Sequence, residues 1–173
     1  MSDQRRIADD QRYIHFLTFS VYRRRRLFTL ETPNRILLGT LNEQLKTFTA
    51  KCIGFVVMPQ HVHALIWLAK TGELRRFMHE WKRISSFRIR RWYEQFSPAY
   101  FREFGYGVRF WQPKYYAFPI YERAKLEEKL RYIHENPVRS DLVERAIDWR
   151  WSSARWYETG RSVGVPIQWV EIE

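Results

Sequence analysis

Apolar and polar positions alternate along this chain with two different periods, and the switches between them mark out the elements. Tyr13–Tyr22 is rich in β-branched and aromatic residues and predicts a strand, which runs into the charge cluster Arg23–Arg26. Ile36, Leu37, Leu41 and Leu45 then recur at helical spacing behind Thr32, a capping residue, and Pro33, a first-turn residue. That helix is expected to end at about Thr49. Lys51–Met58 is an apolar strand, Pro59-Gln60 interrupts it, and His61–Leu68 is the next strand. The short break favours an antiparallel hairpin. Gly72 opens a helix that carries Leu74, Phe77, Met78, Trp81 and Ile84 on one face. A loop with Pro98, Gly105 and Gly107 follows. Val108–Gln112 and Tyr115–Ile120 read as one strand broken at Pro113. Tyr121–Asn136 is a helix that Pro137 stops, and residues 138–173 form a tail with Trp149, Trp151, Trp156 and Tyr157.

The order strand, helix, strand, strand, helix, strand is the split βαβ pattern of an α+β, ferredoxin-like fold. It predicts an antiparallel sheet with helices on one face, followed by an extra C-terminal helix and the aromatic tail. With no linker or repeat, residues 1–173 read as a single domain behind a polar lead-in, residues 1–11. The order alone leaves function open, because the same fold hosts RNA binders, metal carriers and enzymes.

Charge narrows the choice. Thirty Lys and Arg against nineteen Asp and Glu give a net charge of +11, and aromatic residues make up 17% of the chain. A basic excess combined with many rings suits a polyanion whose bases stack, which describes single-stranded nucleic acid. Between residues 71 and 93 the second helix carries Arg75, Arg76, Lys82, Arg83, Arg88, Arg90 and Arg91 against only Glu73 and Glu80. Cys52 is the only cysteine, so neither a disulfide framework nor a cysteine zinc site is available. The N-terminus lacks the apolar stretch of a secretory signal, and no apolar run is long enough for a membrane span. A cytoplasmic location is expected.

Two constellations carry candidate chemistry. His61 and His63 stand two apart on a strand, so both imidazoles project from one face while Val62, Ala64 and Ile66 enter the core. Such a pair can converge on a divalent ion, although the spacing alone fits a structural pair equally well. Tyr132 and Asn136 are four apart on the last helix, beside the stripe Leu126, Leu130 and Ile133. A phenol and an amide oxygen there are within reach of an ion on the histidines; taken alone, they read more simply as a packing residue and a helix-end residue. Other groups have plainer readings. His134 reads as a surface residue, His15 as packed in its strand, His79 as solvated, and Glu135 as paired with Arg131. Tyr115 and Tyr116 are the rival nucleophiles, but neither is followed by an Asn or Gln four residues on in a helix.

Val57-Met58-Pro59-Gln60-His61-Val62-His63 resembles the histidine–hydrophobic–histidine motif of the HUH nucleases. Tyr132-Ile133-His134-Glu135-Asn136-Pro137-Val138 resembles the tyrosine-helix motif of the REP-associated tyrosine transposases, a branch of the single-tyrosine HUH transposases. Phe110-Trp111-Gln112-Pro113 and Trp149-Arg150-Trp151-Ser152-Ser153-Ala154 fit the same family, so the likeness runs from about residue 12 to residue 157. Gln60 stands where the family often has an acidic residue or Asn.

The resemblance implies an enzyme. His61, His63 and the Asn136 oxygen hold Mg²⁺ or Mn²⁺, and Tyr132 attacks single-stranded DNA to leave a 5′-phosphotyrosine link and a free 3′-hydroxyl that allows rejoining. It implies hairpin substrates of the REP type, bound through Arg23, Arg24, Arg25, Arg26, Arg75, Arg76, Lys82, Arg83, Arg90 and Arg91, with Trp149 and Trp151 stacking on flanking bases. It also implies action as a monomer at the bacterial nucleoid. The alternative within this class is a domesticated relative that binds hairpins without cutting. An RNA-recognition module lacks support, because His61-Val62-His63 occupies the strand where its aromatic signature belongs.

Overall fold

The computed structural model describes residues 7–105 and 107–172; residues 1–6 of the polar lead-in lie outside them. Strands β1 (Ile14–Ser20), β2 (Ala50–Val57), β3 (His61–Leu68) and β4 (Tyr116–Ile120) form one antiparallel sheet in the order β2-β3-β1-β4. Helices α1 (Glu31–Thr47), α2 (Leu74–Phe96), α3 (Pro98–Gly105), α4 (Arg123–Arg139) and α5 (Ala154–Thr159) complete the set, with 3₁₀ turns at Tyr22–Arg24 and Ala146–Asp148. This is the α+β, ferredoxin-like arrangement that the element order predicts.

Strand alternation divides the core between the two faces of the sheet. Leu17, Phe19, Val62, Ala64 and Ile66 pack with Leu37 and Leu41 of α1 and with Phe77 and Trp81 of α2. Ile14, Phe16, Ile53, Val56 and Leu65 pack on the other face against Leu126 and Ile133 of α4. The extra helix therefore covers the face that α1 and α2 leave free. Each such aliphatic side chain contributes roughly 1.5–3 kcal/mol by leaving water.

Several boundaries depart from the expectations, each for a local reason. α1 begins at Glu31, one residue ahead of the expected cap Thr32; Asn34 Nδ2 holds the entry by donating to the carbonyls of Phe28 (2.9 Å) and Leu30 (2.7 Å). Residues 98–105, expected as loop, form α3, because Tyr100 and Phe101 stack on Tyr93 at 5.7 and 5.4 Å. The broken strand is shorter than expected. Only Tyr116–Ile120 pairs as a strand, while Trp111 makes a single bridge to Val21. α4 continues through Pro137 to Arg139, since a proline in the final turn removes only one hydrogen bond, and the Leu142 N–H closes the end on the Pro137 carbonyl at 2.9 Å.

The tail runs along β2. Val57 N donates to Trp151 O at 2.8 Å, Ser153 N to Phe55 O at 3.0 Å, and Gln168 N to Cys52 O at 2.9 Å. β2 itself carries a bulge between Cys52 and Gly54. Gly54 lies where α4 crosses: a Cβ there would sit 2.5 Å from Leu130 Cδ1 and 3.1 Å from Ser153 Oγ. Among the described residues, no helix is long and apolar enough to cross a membrane.

Candidate active site

His63 faces Thr18 across the β1–β3 ladder, and His61 faces Ser20. Alternation puts both imidazoles on the α4 face, where their ring centroids are 4.8 Å apart. Thr18 Oγ1 and His63 Nδ1 share a hydrogen bond of 2.7 Å. Phe16 stacks on the His63 ring at 5.5 Å, with only 14° between the planes. Both histidines are buried, and His61 Nδ1 is shut off from solvent with no hydrogen-bond partner among the described residues. Burial pushes the His63 imidazolium down to about 3, helped by the charges of His61, Arg139, Lys129 and Arg24. Burial, and then Arg24, pushes His61 down to about 4. At neutral pH both rings are uncharged and each keeps a nitrogen lone pair.

α4 brings the phenol to this pair. The Tyr132 ring stands edge-on to His63 at 5.5 Å and to Phe16 at 6.1 Å, and the residue remains 42% exposed. One turn further on, Asn136 is only 7% exposed, on the same side of the helix. His61, His63 and Tyr132 are thus brought together on one face of the sheet, with Asn136 one turn further along the helix that carries the phenol. Of the rival tyrosines, Tyr115 has its hydroxyl buried beside Lys82, towards the α2 face. Tyr116 pairs with Thr18 on the side of β1 away from β3, so it stands two strands from His63, about 10 Å by strand spacing.

Two cations border the phenol. The Arg139 guanidinium carbon lies 4.4 Å from the Tyr132 ring centre, and its Nη2 donates to the Tyr132 carbonyl at 2.9 Å. Lys129 Nζ lies 4.9 Å from the Phe16 ring centre and 5.7 Å from that of Tyr132. Glu135 ion-pairs with Arg139 at 3.6 Å, so the expected partner Arg131 gives way to the residue four positions on. Sequence reasoning passed over Lys129 and Arg139; their positions one turn before and two turns after Tyr132 were the available signal.

His134 is not the surface residue expected. It is half-buried, its Nε2 is 2.8 Å from Ser153 Oγ, and desolvation pushes its imidazolium down to about 4. The same Ser153 Oγ accepts from Phe55 N at 3.0 Å. His134 therefore ties the tyrosine helix to the tail and the tail to β2. His15 is packed as expected, facing the α1–α2 side with Asp9 at 3.5 Å, and His79 is solvent-exposed.

The basic residues divide into exposed and engaged groups. Arg23, Arg24 and Arg26 are exposed, but Arg25 is buried, donating to the carbonyls of Tyr22, Arg109 and Phe110. On α2, Arg75, Arg76, Arg83 and Arg91 are exposed, with Arg83 paired to Glu80 at 2.7 Å. Lys82 donates to Gln112 O at 2.8 Å, and Arg90 donates to Val108 O, so both heads hold the 108–112 segment. α2 lies on the sheet face opposite the histidines. Trp149 is half-buried with Nε1 donating to Val57 O at 3.0 Å, and Trp151 is half-buried against the α1–α2 core with Arg150 over it at 4.8 Å. Both rings have structural partners.

Residues 9–136 match a family described as transposase, IS200 like. A solved structure of a REP-associated tyrosine transposase bound to a REP hairpin is similar at 23% identity with a TM-score of 0.72, covering 99% of this chain and 92% of that one. A putative transposase from Deinococcus radiodurans R1 is similar at 18% identity with a TM-score of 0.51, covering 76% of this chain and 97% of that one. No curated protein matches the chain.

Proposed function

Since the chain belongs to the IS200-like transposase family, we propose that it cleaves and rejoins single-stranded DNA beside REP-type hairpins, with Tyr132 as the nucleophile. The observation that carries this reading is the Tyr132 ring standing 5.5 Å from His63, itself 4.8 Å from His61, at the partly open side of an otherwise buried cluster.

His61, His63 and the Asn136 side-chain oxygen are the residues that would hold Mg²⁺ or Mn²⁺. They fit such an ion. The rings are held neutral, the His61 Nδ1 is buried without a partner, and a Thr18 oxygen beside His63 Nδ1 leaves Nε2 available as the ligand atom. Asn136 would add an amide, a hard oxygen that suits these cations. When bound, the ion supplies Lewis acidity towards the scissile phosphate.

The chain's own residues do the rest. Thr18 and Phe16 fix the His63 ring, one by a hydrogen bond and one by stacking. α4 presents the phenol, and its attack on phosphorus releases a 3′-oxygen while the new ester conserves the bond for rejoining. Exposed Arg75, Arg76 and Arg83 on α2, with Arg23 and Arg26 at the end of β1, offer charge for the hairpin phosphates.

The test is incubation of the protein with labelled single-stranded DNA carrying a REP-type hairpin, with Mg²⁺ or Mn²⁺ and with EDTA, beside Tyr132→Phe. The expected result is a metal-dependent covalent adduct that the variant does not form. An adduct that persists in Tyr132→Phe refutes the nucleophile. Tight hairpin binding without an adduct under either ion refutes cleavage and leaves a hairpin-binding protein.

A further inference from the structure

We propose that the cavity between α1, α5 and the tail is an anion site for closely spaced phosphate groups, separate from both the histidine cluster and the basic face of α2. The cavity measures about 570 Å³ and is lined by four arginines: Arg35 on α1, Arg150 ahead of α5, Arg155 on α5 and Arg161 beyond it. Asp148 is the one carboxylate in that lining. Gly160 and Gly164, with φ of 74° and 87°, supply the left-handed turns on either side of the segment that carries Arg161 along the cavity.

Nearby carboxylates arrange these guanidiniums more than they neutralise them. Glu31 bridges two, at 2.7 Å to Arg35 and 3.5 Å to Arg150. Asp148 is taken up by a two-point pair with Arg145, at 2.8 and 3.0 Å. Arg155 Nε donates to the Ile147 carbonyl at 2.6 Å, which fixes the side chain and leaves its terminal nitrogens for a ligand. Arg161 is exposed and has no hydrogen bond or ion pair among the described residues. Ser152, only 3% exposed, also lines the cavity. Its Oγ accepts from Ala154 N at 3.1 Å, and no protein acceptor takes its proton among the described residues.

Excess positive charge on planar forks, beside a hydroxyl donor, suits phosphate oxygens, which a guanidinium meets two at a time. A lone phosphodiester has one charge to set against four arginines, so adjacent phosphate groups match the site better. Two sources provide them: successive phosphates of a single DNA strand, or the phosphate chain of a free nucleotide. The place of the cavity in the fold connects it to the first. Ser152 bridges to Val56, and Val56 pairs with His63. Two strand spacings put Ser152 about 10 Å from His63 in the plane of the sheet. That is roughly three stacked nucleotides along a strand. The strand as source rests on the DNA-processing reading above, whereas the phosphate site does not.

The test is calorimetric titration of inorganic pyrophosphate into the full chain in EDTA, beside Arg161→Gln, Arg155→Gln and, as a control on the other basic surface, the double variant Arg75→Gln, Arg83→Gln. Arg161 holds nothing else in the fold, so Arg161→Gln should unfold at the wild-type temperature while its pyrophosphate affinity falls about 10- to 100-fold, the share of a charge-assisted pair. Arg155→Gln should weaken binding as well, and the α2 variant should bind like wild type. No binding to wild type, equal affinity in both cavity variants, or a loss confined to the α2 variant overturns the site. A short oligothymidylate without a hairpin and ATP then separate the sources. If pyrophosphate displaces the oligonucleotide and Arg161→Gln weakens it, the strand occupies the cavity. If ATP alone competes with pyrophosphate, a free nucleotide does. None of these readouts needs an adduct, so a chain that never cleaves DNA tests the site equally well.

Discussion

Gly54→Ala is the sharpest test of how the tyrosine helix is seated. The added Cβ would lie 2.5 Å from Leu130 Cδ1, where carbon contacts normally settle at about 3.5–4.0 Å, so one partner must yield by roughly 1 Å. Ser153 Oγ, at 3.1 Å, offers no relief, because His134 and Phe55 already hold it. Overpacking of this kind costs about 1–3 kcal/mol, against which alanine in a strand regains roughly 0.5–1 kcal/mol over glycine. The net expectation is a loss of about 1–2 kcal/mol, or roughly 2–8 °C in Tm for a chain of this size. Thermal and urea unfolding of Gly54→Ala, Leu130→Ala and the double variant measure it. In the Leu130→Ala background the clashing methyl is gone and only the 3.1 Å approach to Ser153 Oγ remains, so Gly54→Ala should cost less there, by about 1 kcal/mol. Equal effects in both backgrounds, or an unchanged Gly54→Ala protein, refute the close approach of α4 to the bulge. If α4 lifts by about 1 Å in the single variant, adduct formation should also drop on the order of 100-fold, since misplacement on that scale removes alignment.

Three further outcomes follow from the same geometry. Ser153→Ala leaves the half-buried His134 nitrogen and the buried Phe55 N–H without their partner, and chemical denaturation should show a loss of roughly 1–3 kcal/mol. Thr18→Val removes the oxygen beside His63 Nδ1, and calorimetric Mn²⁺ affinity should fall about 10- to 100-fold. Burial pushes Lys82 down to about 8 from an ordinary 10.5, so its charge opposes folding fully below pH 8 and progressively less up to 10.5. Lys82→Met should therefore unfold at a higher temperature than wild type at pH 7, with the gap closing between pH 8 and 10.5.

Features repeated locally were legible in the sequence. The two-residue alternation of β3 put His61 and His63 on one face and Val62, Ala64 and Ile66 on the other, and the four-residue spacing put Tyr132 beside Asn136. Features made by partners distant in sequence were not. His134 looked like a surface residue because its partner, Ser153, arrives on the tail. Arg25 looked like one more member of a charge run, because the carbonyls that bury it lie at Tyr22, Arg109 and Phe110. α3 was missed because Tyr100 and Phe101 find their stacking partner, Tyr93, only when the chain turns back after α2. The spatial split between the basic helix and the histidines was also hidden, since strand periodicity gives faces but not which helix covers each.

The hydrogen bonds from Val57 to Trp151, Ser153 to Phe55 and Gln168 to Cys52 have a bearing on colloidal behaviour as well as on the site. β2 is an edge strand of eight residues, mostly apolar, and a free edge of that kind templates pairing with other chains. The tail occupies those backbone groups. At the opposite edge, β4 is only five residues long and contains Pro119, which cannot donate to an added strand. A chain shortened to residue 148 would keep the histidines and Tyr132 yet expose β2 along its length, and should precipitate by edge-to-edge association during purification.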